Sequence, residues 1–372
     1  MCDVPALRFP EFTEEWKKIR LGDNCNIQMC KRIMAAQTNT EGGVPFYKIG
    51  TIGGKADAYI SKDLFDEYKR KYSYPNKGEV MITCAGTVGK CVIYDGEDSY
   101  YQDSNIVWID NPNEIISNDF LYHLLSNINW SYLNSTTIVR IYNDDLRNLK
   151  LCCPRLDEQK KIANFLSLID ERIAAQNKII EDLRLLRDAI SVCLLSPKSD
   201  WKCYKVSEIA DIGRGRVISS KEIANQNNPQ YPVYSSQTSN EGVMGYLDNY
   251  AFDGEYITWT TDGANAGTVF YRNGRFNCTN VCGTLKLHYQ FDAYYCSLVL
   301  ANATKKYVSV NLANPKLMNN TMAAIKLYLP PFQEQKRMAQ LFRKMDENIT
   351  LEHKLLLSYQ KQKHYLLQQM FI

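Results

Sequence analysis

The chain has 372 residues, enough for two or more domains, and its net charge of +3 is too mild to indicate or exclude a nucleic-acid partner. Its twelve cysteines form no CxxC pair, so we expect buried apolar thiols and neither a metal site nor a cofactor. No apolar run approaches the ~20 residues that cross a bilayer, and no apolar signal core follows the first residues. These features predict a soluble protein of the reduced cytoplasm.

In chain order, the first strong signal is a segment that occurs twice. Leu149-Lys-Leu-Cys-Cys-Pro-Arg-Leu-Asp-Glu-Gln-Lys-Lys161 returns as Ile325-Lys-Leu-Tyr-Leu-Pro-Pro-Phe-Gln-Glu-Gln-Lys-Arg337, and the copies are 176 positions apart, since 326 − 150 = 176. Solenoid repeats run from about 20 to 50 residues, so this period is that of a whole domain and its helix. The duplication predicts a pseudo-twofold molecule.

A long helical pattern of about 30 residues follows each copy, with apolar residues at alternating spacings of four and three. In the first helix this seam is Ile162, Leu166, Ile169, Ile173, Ile180, Leu183 and Ile190. In the second it is Met338, Phe342, Met345, Ile349, Leu356, Tyr359 and Leu366. Since each seam is the other's only equivalent, we expect one antiparallel coiled coil, about 45 Å long.

Polar residues interrupt both seams at the same two steps, Gln176 and Arg187 in the first helix and Glu352 and Lys363 in the second. They either fix the register of the pairing or mark where the seam meets solvent. Further apolar residues widen both stripes and indicate a helical partner. They are Phe165, Ile179, Leu186, Leu341, Leu355 and Leu367.

Before each helix lies a globular region that begins near Trp16 or Trp201 and is rich in Tyr, Val, Ile, Thr, Gly and Asn. This composition predicts many short strands, with helical inserts at 119–125 and 292–300. The predicted fold class is α+β: two similar, β-rich globular domains separated by the long antiparallel coiled coil. The predicted boundaries are 1–153 and 197–329 for the domains, and 154–196 and 330–372 for the helices.

Signatures of catalysis are missing from the sequence. It contains no GxxxxGK[ST] loop, HExxH, GxSxG or methyltransferase Asn/Asp-Pro-Pro-aromatic tetrapeptide. The run Gly213-Arg-Gly-Arg216 lacks the third glycine of a dinucleotide loop, and Asp144-Asp145 is better explained as a helix cap. We therefore predict no catalytic residues.

Both domains mix basic, amide and aromatic residues, which suit phosphates and base edges. The candidate DNA-binding residues are Lys31, Arg32, Lys90, Arg140, Tyr142, Asn143, Arg214, Arg216, Lys305, Lys306, Lys316 and Asn319. Each could instead be a solvated cation or a turn residue. The glycine turns at 86–89 and 263–267 are either close approaches of the backbone to DNA or plain hairpin turns.

The order of domain, helix, domain and helix, with Pro154 and Glu158-Gln159 opening the first helix, resembles the DNA-specificity subunit of type I restriction-modification systems. The signature from Leu146 to Ala163 returns from Met322 to Ala339, although Met322 and Ala323-Ala324 depart from the pattern. The opening Leu7-Arg-Phe-Pro-Glu-Phe12 before Trp16 is also similar to that family.

The resemblance implies that each domain is a target recognition domain for one part of a bipartite, asymmetric sequence in double-stranded DNA. The helices would set the spacing and carry two methyltransferase subunits, joined by restriction (translocase) subunits. Adenine methylation and DNA cleavage would belong to those partners, and no membrane is involved. Two alternatives stay open: a coiled-coil protein adaptor without DNA specificity, and an enzyme with an unrecognised site.

Overall fold

The computed structural model describes residues 4–112, 115–133, 140–309 and 314–371. The chain divides into two compact units, Met1–Lys178 with Lys354–Ile372, and Ile179–His353. Each unit therefore combines one globular domain with part of both long helices. Among the described residues, no helix is long and apolar enough to cross a membrane.

The first domain consists of short strands and short helices. Its strands are β1 (Lys17–Arg20), β2 (Asn26–Gln28), β3 (Val44–Tyr47), β4 (Tyr59–Ile60), β5 (Val80–Thr83), β6 (Cys91–Ile93), β7 (Tyr100–Tyr101), β8 (Ile106–Asp110) and β9 (Lys150–Cys153). Its helices are α1 (Leu21–Asn24), α2 (Lys62–Lys71), α3 (Asn118–Asn127) and α4 (Asn143–Arg147), with 3₁₀ turns at Ala35–Gln37 and Trp130–Leu133. The sheets have the orders β2-β8-β5-β6, β4-β3-β7 and β1-β9.

The second domain repeats this plan. Its strands are β10 (Lys202–Lys205), β11 (Ala210–Arg214), β12 (Tyr231–Tyr234), β13 (Val243–Leu247), β14 (Tyr256–Thr260), β15 (Val269–Arg272), β16 (Asn277–Cys278), β17 (Cys282–Leu287) and β18 (Lys326–Leu329). Its helices are α6 (Val206–Ile209), α7 (Ser220–Ala224), α8 (Ala293–Ala303) and α9 (Asn319–Ala324), with 3₁₀ turns at Ser239–Gly242 and Thr304–Tyr307. The long helices are α5 (Leu156–Leu194) and α10 (Phe332–Met370).

Strand order is the same in both domains, because adding nine to each strand number of the first gives β11-β17-β14-β15, β13-β12-β16 and β10-β18. Even the parallel pair β3-β7 has its counterpart in β12-β16. The domains differ in their insertions: α2 follows β4 in the first domain, whereas α7 precedes β12 in the second. The α+β class with two similar β-rich domains is therefore as predicted.

Helix α2 shows how an insertion is accommodated. The Ser61 hydroxyl caps it by accepting from the Leu64 N–H at 3.3 Å, and Lys69 to Lys71 occupy its last turn, which suits the helix dipole. Its buried Phe65 joins an aromatic core with Tyr74 and Tyr100. Leu64 and Tyr68 of the same helix also pack against this core, so burial of apolar surface holds the helix on the domain.

Both long helices span 39 residues, longer than the stretch of about 30 that carries each seam. Within each unit their seam residues are buried or half-buried, and α5 and α10 run antiparallel. The buried members are Ile162, Leu166, Ile169, Ile180, Met338, Phe342, Leu356 and Leu366, and the half-buried ones are Ile173, Leu183, Ile190, Met345, Ile349 and Tyr359.

The two basic residues of the seam pair with aspartates on the other helix of the same unit. Lys363 pairs with Asp170 in the first unit, and Arg187 donates from Nη2 to Asp346 Oδ2 at 3.3 Å in the second. Gln176 is buried and Glu352 is half-buried. The two ion pairs favour the interpretation that such residues fix the register.

The start of each long helix is tied to its domain by the repeated glutamine. Gln159 Nε2 donates to the carbonyls of Pro154 (2.9 Å) and Ile115 (3.0 Å), while its Oε1 accepts from the Ser117 N–H at 2.8 Å. Gln335 donates to the Pro330 carbonyl at 2.9 Å and accepts from the Asp292 N–H at 3.1 Å. Ser117 and Asp292 are the N-caps of α3 and α8, so the glutamine joins two helix starts.

Most free cysteines of the described residues are buried, as expected for small apolar side chains. Burial raises the pKa of Cys25 to about 11 and that of Cys30 to about 12, which leaves both thiols protonated at neutral pH. Cys152 is disulfide-bonded, which the sequence did not lead us to expect.

Candidate nucleic-acid interface

In the first domain, three separate segments meet beside the β5-β6 turn. The Ile141 N–H donates to the Cys84 carbonyl (2.9 Å), and the Cys84 N–H donates to the Asn105 carbonyl (2.7 Å). Arg140 Nη2 reaches the Ser104 carbonyl at 3.3 Å. These bonds bring the turn, the loop before β8 and the segment before α4 to one surface of the domain.

Several sequence-predicted residues lie on this surface. Arg140 stacks over the ring of Tyr142, which is 58% exposed, at 5.7 Å from its centroid. Arg32 is largely exposed and pairs with Asp103 at 2.9 Å, and the Lys90 ammonium donates to the Ile52 carbonyl. Lys31 lies instead over the ring of Tyr72, at 5.3 Å.

Asn143 is half-buried and is the first residue of α4. The two aspartates that follow it act locally: Asp145 Oδ2 accepts from the Tyr142 N–H at 2.7 Å, and Asp144 pairs with Arg147 at 2.9 Å. The capping interpretation therefore accounts for Asp145, whereas Asp144 forms an ion pair within the helix.

The second domain joins the equivalent segments in the same way. The Leu317 N–H donates to the Thr261 carbonyl, and the Thr261 N–H donates to the Val281 carbonyl, both at 2.9 Å. Here a guanidinium again holds a carbonyl of the loop, because Arg214 Nε donates to Asn280 O. The arginine now comes from the end of β11, whereas Arg140 precedes α4.

Asp262 lies at the centre of the basic residues of the second domain. Its carboxylate pairs with Arg214 at 3.2 Å and with Lys316 at 3.6 Å, and accepts from the Thr261 hydroxyl at 2.6 Å. Two cations share one carboxylate, so this cluster keeps a net positive charge that suits phosphate.

The remaining candidates of the second domain make separate contacts. Asn319 Nδ2 donates to the Gly213 carbonyl at 3.4 Å. A hydrogen bond to Glu222 raises the pKa of Arg216, and the same bond lowers the pKa of Glu222. Lys305 and Lys306 are exposed on the 3₁₀ turn, whose Thr304 hydroxyl donates to the Gly267 carbonyl at 2.8 Å.

The glycine turns close the β5-β6 and β14-β15 hairpins. Gly89 and Gly267 both have a φ of 83°, in the left-handed region that favours glycine. A Cβ on Gly89 would lie 2.1 Å from Trp130, and one on Gly267 would lie 2.7 Å from Val308. These two glycines are explained by turn conformation and packing.

The aspartates that pair with the cations, Asp103 and Asp262, were not identified from the sequence. Each lies far along the chain from the arginine that it contacts, so no spacing rule reveals the pair. Among the described residues, no group of histidine, cysteine, aspartate or glutamate could hold a metal ion. The arrangement offers cations for phosphates and amide and aromatic side chains for bases.

A family model described as the type I restriction modification DNA specificity domain matches residues 13–185 and again residues 198–358. The chain is 50% identical over 169 residues to a Haemophilus influenzae protein named as a type I restriction enzyme specificity subunit, which covers 45% of this chain and 43% of that protein. It is 41% identical over 143 residues to the MpnII specificity subunit of Mycoplasma pneumoniae, covering 38% of this chain and 42% of that protein. The chain thus matches less than half the length of either relative.

Two solved structures share the fold. The S subunit of a type I restriction-modification system from M. genitalium superposes with a TM-score of 0.68 at 18% identity, covering 100% of this chain and 99% of that chain. A chain from a type I system solved to explain complex assembly gives 0.58 at 14% identity, covering 97% and 98%. Because the family model accounts for most of the sequence, the chain belongs to the family of type I restriction-modification DNA specificity subunits.

Proposed function

We propose that this chain recognises a bipartite, asymmetric sequence in double-stranded DNA, one part through each domain. It acts in the cytoplasm as the scaffold for two methyltransferase subunits and for restriction (translocase) subunits. It has no catalytic role by itself, and methylation and cleavage belong to those partners.

The observation that carries this proposal is that two domains of identical strand order present different side chains at equivalent positions. Arg140 in one domain and Arg214 in the other hold equivalent loop carbonyls from unrelated points of the chain. If the arginine only held the loop in place, both domains could use an arginine at the same position. Different chemistry on a common scaffold is what the recognition of two different half-sites needs.

The helices support a spacer role. An ideal helix of 39 residues is about 58 Å long, more than the ~34–36 Å of one turn of B-DNA. We propose that the helical pair sets the separation of the two half-sites.

Exposed apolar residues on the helices support the docking of partners. In the first unit, a cleft of about 520 Å³ is lined by Phe165, Leu168, Ile169, Ala175 and Tyr359, among others. In the second unit, Leu185 and Leu351 are exposed. Apolar surface of this kind marks protein interaction sites.

The test is a gel-shift of the chain, reconstituted with its methyltransferase subunits, on duplexes of random sequence, followed by sequencing of the bound fraction. We expect two separated blocks of preferred bases that persist as salt rises, because phosphate contacts weaken with salt and base contacts carry the preference. The absence of any sequence preference at every salt concentration would contradict the proposal and favour the adaptor.

A further inference from the structure

The loop Gln102–Asn105, between β7 and β8, lines a cleft of about 370 Å³ on the surface that also carries Arg32 and Arg140. Thr38, Phe46 and Lys48 form part of its other walls. The cleft thus combines amide, hydroxyl, aromatic and basic groups. This loop was not singled out from the sequence, because its residues match no motif.

The backbone of the loop is fixed at both ends. The Gln102 N–H donates to the Tyr47 carbonyl (2.9 Å), the Ile106 N–H donates to the Gln102 carbonyl (3.1 Å), and the Asn105 carbonyl accepts from Cys84. Between these bonds, Ser104 has a φ of 54°, which is uncommon for a residue other than glycine. Strain that is held in place by surrounding bonds is typical of functional loops.

The side-chain amides of Gln102 and Asn105 contrast with this fixed backbone. Both residues are half-buried, yet in the part of the chain that the structure describes neither amide has a hydrogen-bond partner. An amide that no group of the protein engages keeps its donor and its acceptor available for a ligand. Fixed backbone with unused amides is a preorganised binding arrangement.

The cations of the cleft are already paired. Asp103 binds Arg32 at 2.9 Å, and Asp57 binds Lys48 at 3.0 Å. These carboxylates reduce the attraction of the two cations for phosphate. The choice of ligand in the cleft therefore depends on the amides. Asparagine and glutamine amides match the N6 and N7 edge of adenine in the major groove.

The second domain uses the equivalent loop differently. Thr279 takes the place of Gln102 there, because its N–H donates to the Tyr234 carbonyl at 2.9 Å. Val281 takes the place of Asn105, because its carbonyl accepts from the Thr261 N–H at 2.9 Å. The carbonyl of Asn280 is held by Arg214, as Ser104 is held by Arg140. The hydrogen bonds that hold the loop are therefore common to the two domains, whereas the amides at these two positions are found in the first domain alone.

We propose that Gln102 and Asn105 are base-reading residues of the first domain, and that they recognise adenine in one half of the DNA target. This inference rests on the proposed function. It assigns the specificity of one half-site to two residues that the candidate set did not include.

The experiment compares the complete complex carrying Gln102→Ala, Asn105→Ala or both with the unchanged complex, on randomised duplex DNA. We expect a preference for adenine at one or two positions of one half-site to fall by roughly 5- to 150-fold, with the other half-site unchanged. Gln230→Ala, an exposed glutamine of the second domain, is the matched control and should leave that adenine preference unchanged. Arg32→Ala should lower affinity for all sequences alike.

Failure of this inference differs from failure of the proposed function. An unchanged complex that shows no base preference would contradict the function itself. A complex that reads two half-sites, but keeps every preference in the double variant, would overturn only the assignment of these residues. So would a loss confined to a base other than adenine.

Discussion

In both units an aspartate and a basic residue of the long helices form an ion pair. The domain residue that lies against the aspartate differs between the two units. In the first unit, Asp170 pairs with Lys363 and lies 3.9 Å from the ring of His123 on α3. In the second, Asp346 pairs with Arg187 and accepts from the hydroxyl of Tyr294 on α8. The helix positions are related by the offset of 176, whereas the groups supplied by the domains are not.

This difference shows which part of the junction is constrained. The aspartate and its cation lie on the long helices, where the register demands them. The domain supplies whichever polar group its own sequence places within reach. A specificity subunit can therefore vary its domains while keeping its helical framework.

The largest expected difference in stability between the two units comes from the glutamate of the repeated Glu-Gln pair, which is Glu158 in the first unit and Glu334 in the second. Glu158 is 2% exposed and forms two bonds of 2.7 Å with Arg8, whereas Glu334 meets Lys198 only at 3.8 Å on the surface. Arg8→Ala leaves a buried carboxylate unpaired and should cost about 3–5 kcal/mol in the free energy of unfolding. Lys198→Ala should cost about 0–1 kcal/mol. Urea unfolding followed by hydrogen exchange at the start of each helix measures both, and equal losses would show that the two glutamates are equivalent.

The next effect depends on pH and is confined to the first unit. Burial lowers the pKa of His123 to about 4. The charge of Asp170 opposes this shift by raising the pKa, whereas the charge of Lys363 lowers it further. The unfolded chain, with a histidine pKa near 6.5, binds the proton first, so stability is full above about pH 6.5 and falls as the pH drops towards 4. The loss should reach about 3 kcal/mol.

Thermal unfolding at pH 7.5, 6, 5 and 4 tests this expectation, with His123→Gln as the comparison. Carboxylates also titrate in this range, so the quantity of interest is the difference between the two proteins. The variant should show the shallower decline. Parallel curves would exclude His123 as the cause.

The smallest effect should be equal in the two units. Gln159→Ala and Gln335→Ala each leave a part-buried N-cap N–H and a buried proline carbonyl without their partner, which should cost about 2 kcal/mol in each case. Gln159→Ala also removes the bond to the carbonyl of Ile115, which should add little because Ile115 is exposed. The neighbouring Gln333 is exposed, so Gln333→Ala is the matched control and should change little. Differential scanning calorimetry would record the shifts in unfolding temperature. A large difference between the two glutamine variants would show that the two helix starts are not equivalent.

Sequence reasoning identified the parts of the molecule that depend on local pattern. The seam residues from Ile162 to Ile180 and the helical inserts at α3 and α8 follow from periodicity and capping. At 39 residues each, the helices are longer than the stretch of about 30 that carries the seam, because their first turns precede Ile162 and Met338 and their last residues lie beyond Ile190 and Leu366. The common strand order was hidden by α2, which lengthens the stretch between β4 and β5.

The contacts of the candidate interface could not be predicted in the same way. Arg140, in the segment before α4, and Arg214, at the end of β11, reach equivalent carbonyls, and only tertiary structure brings them there. The same holds for the pairing of Arg32 with Asp103 and for the unused amides of Gln102 and Asn105. Such features depend on residues that are distant in the chain and carry no periodic signal.

The glutamine at the start of each helix contacts only main-chain atoms of its domain. Main-chain groups are present whatever side chains a domain carries, so this attachment makes almost no demand on domain sequence. A foreign domain that ends in the same strand, and presents an N-cap at the same place, would fit the helix without compensating mutations. The glutamine therefore makes the domains interchangeable parts, and the exchange of a whole domain by recombination would require no change in the helices.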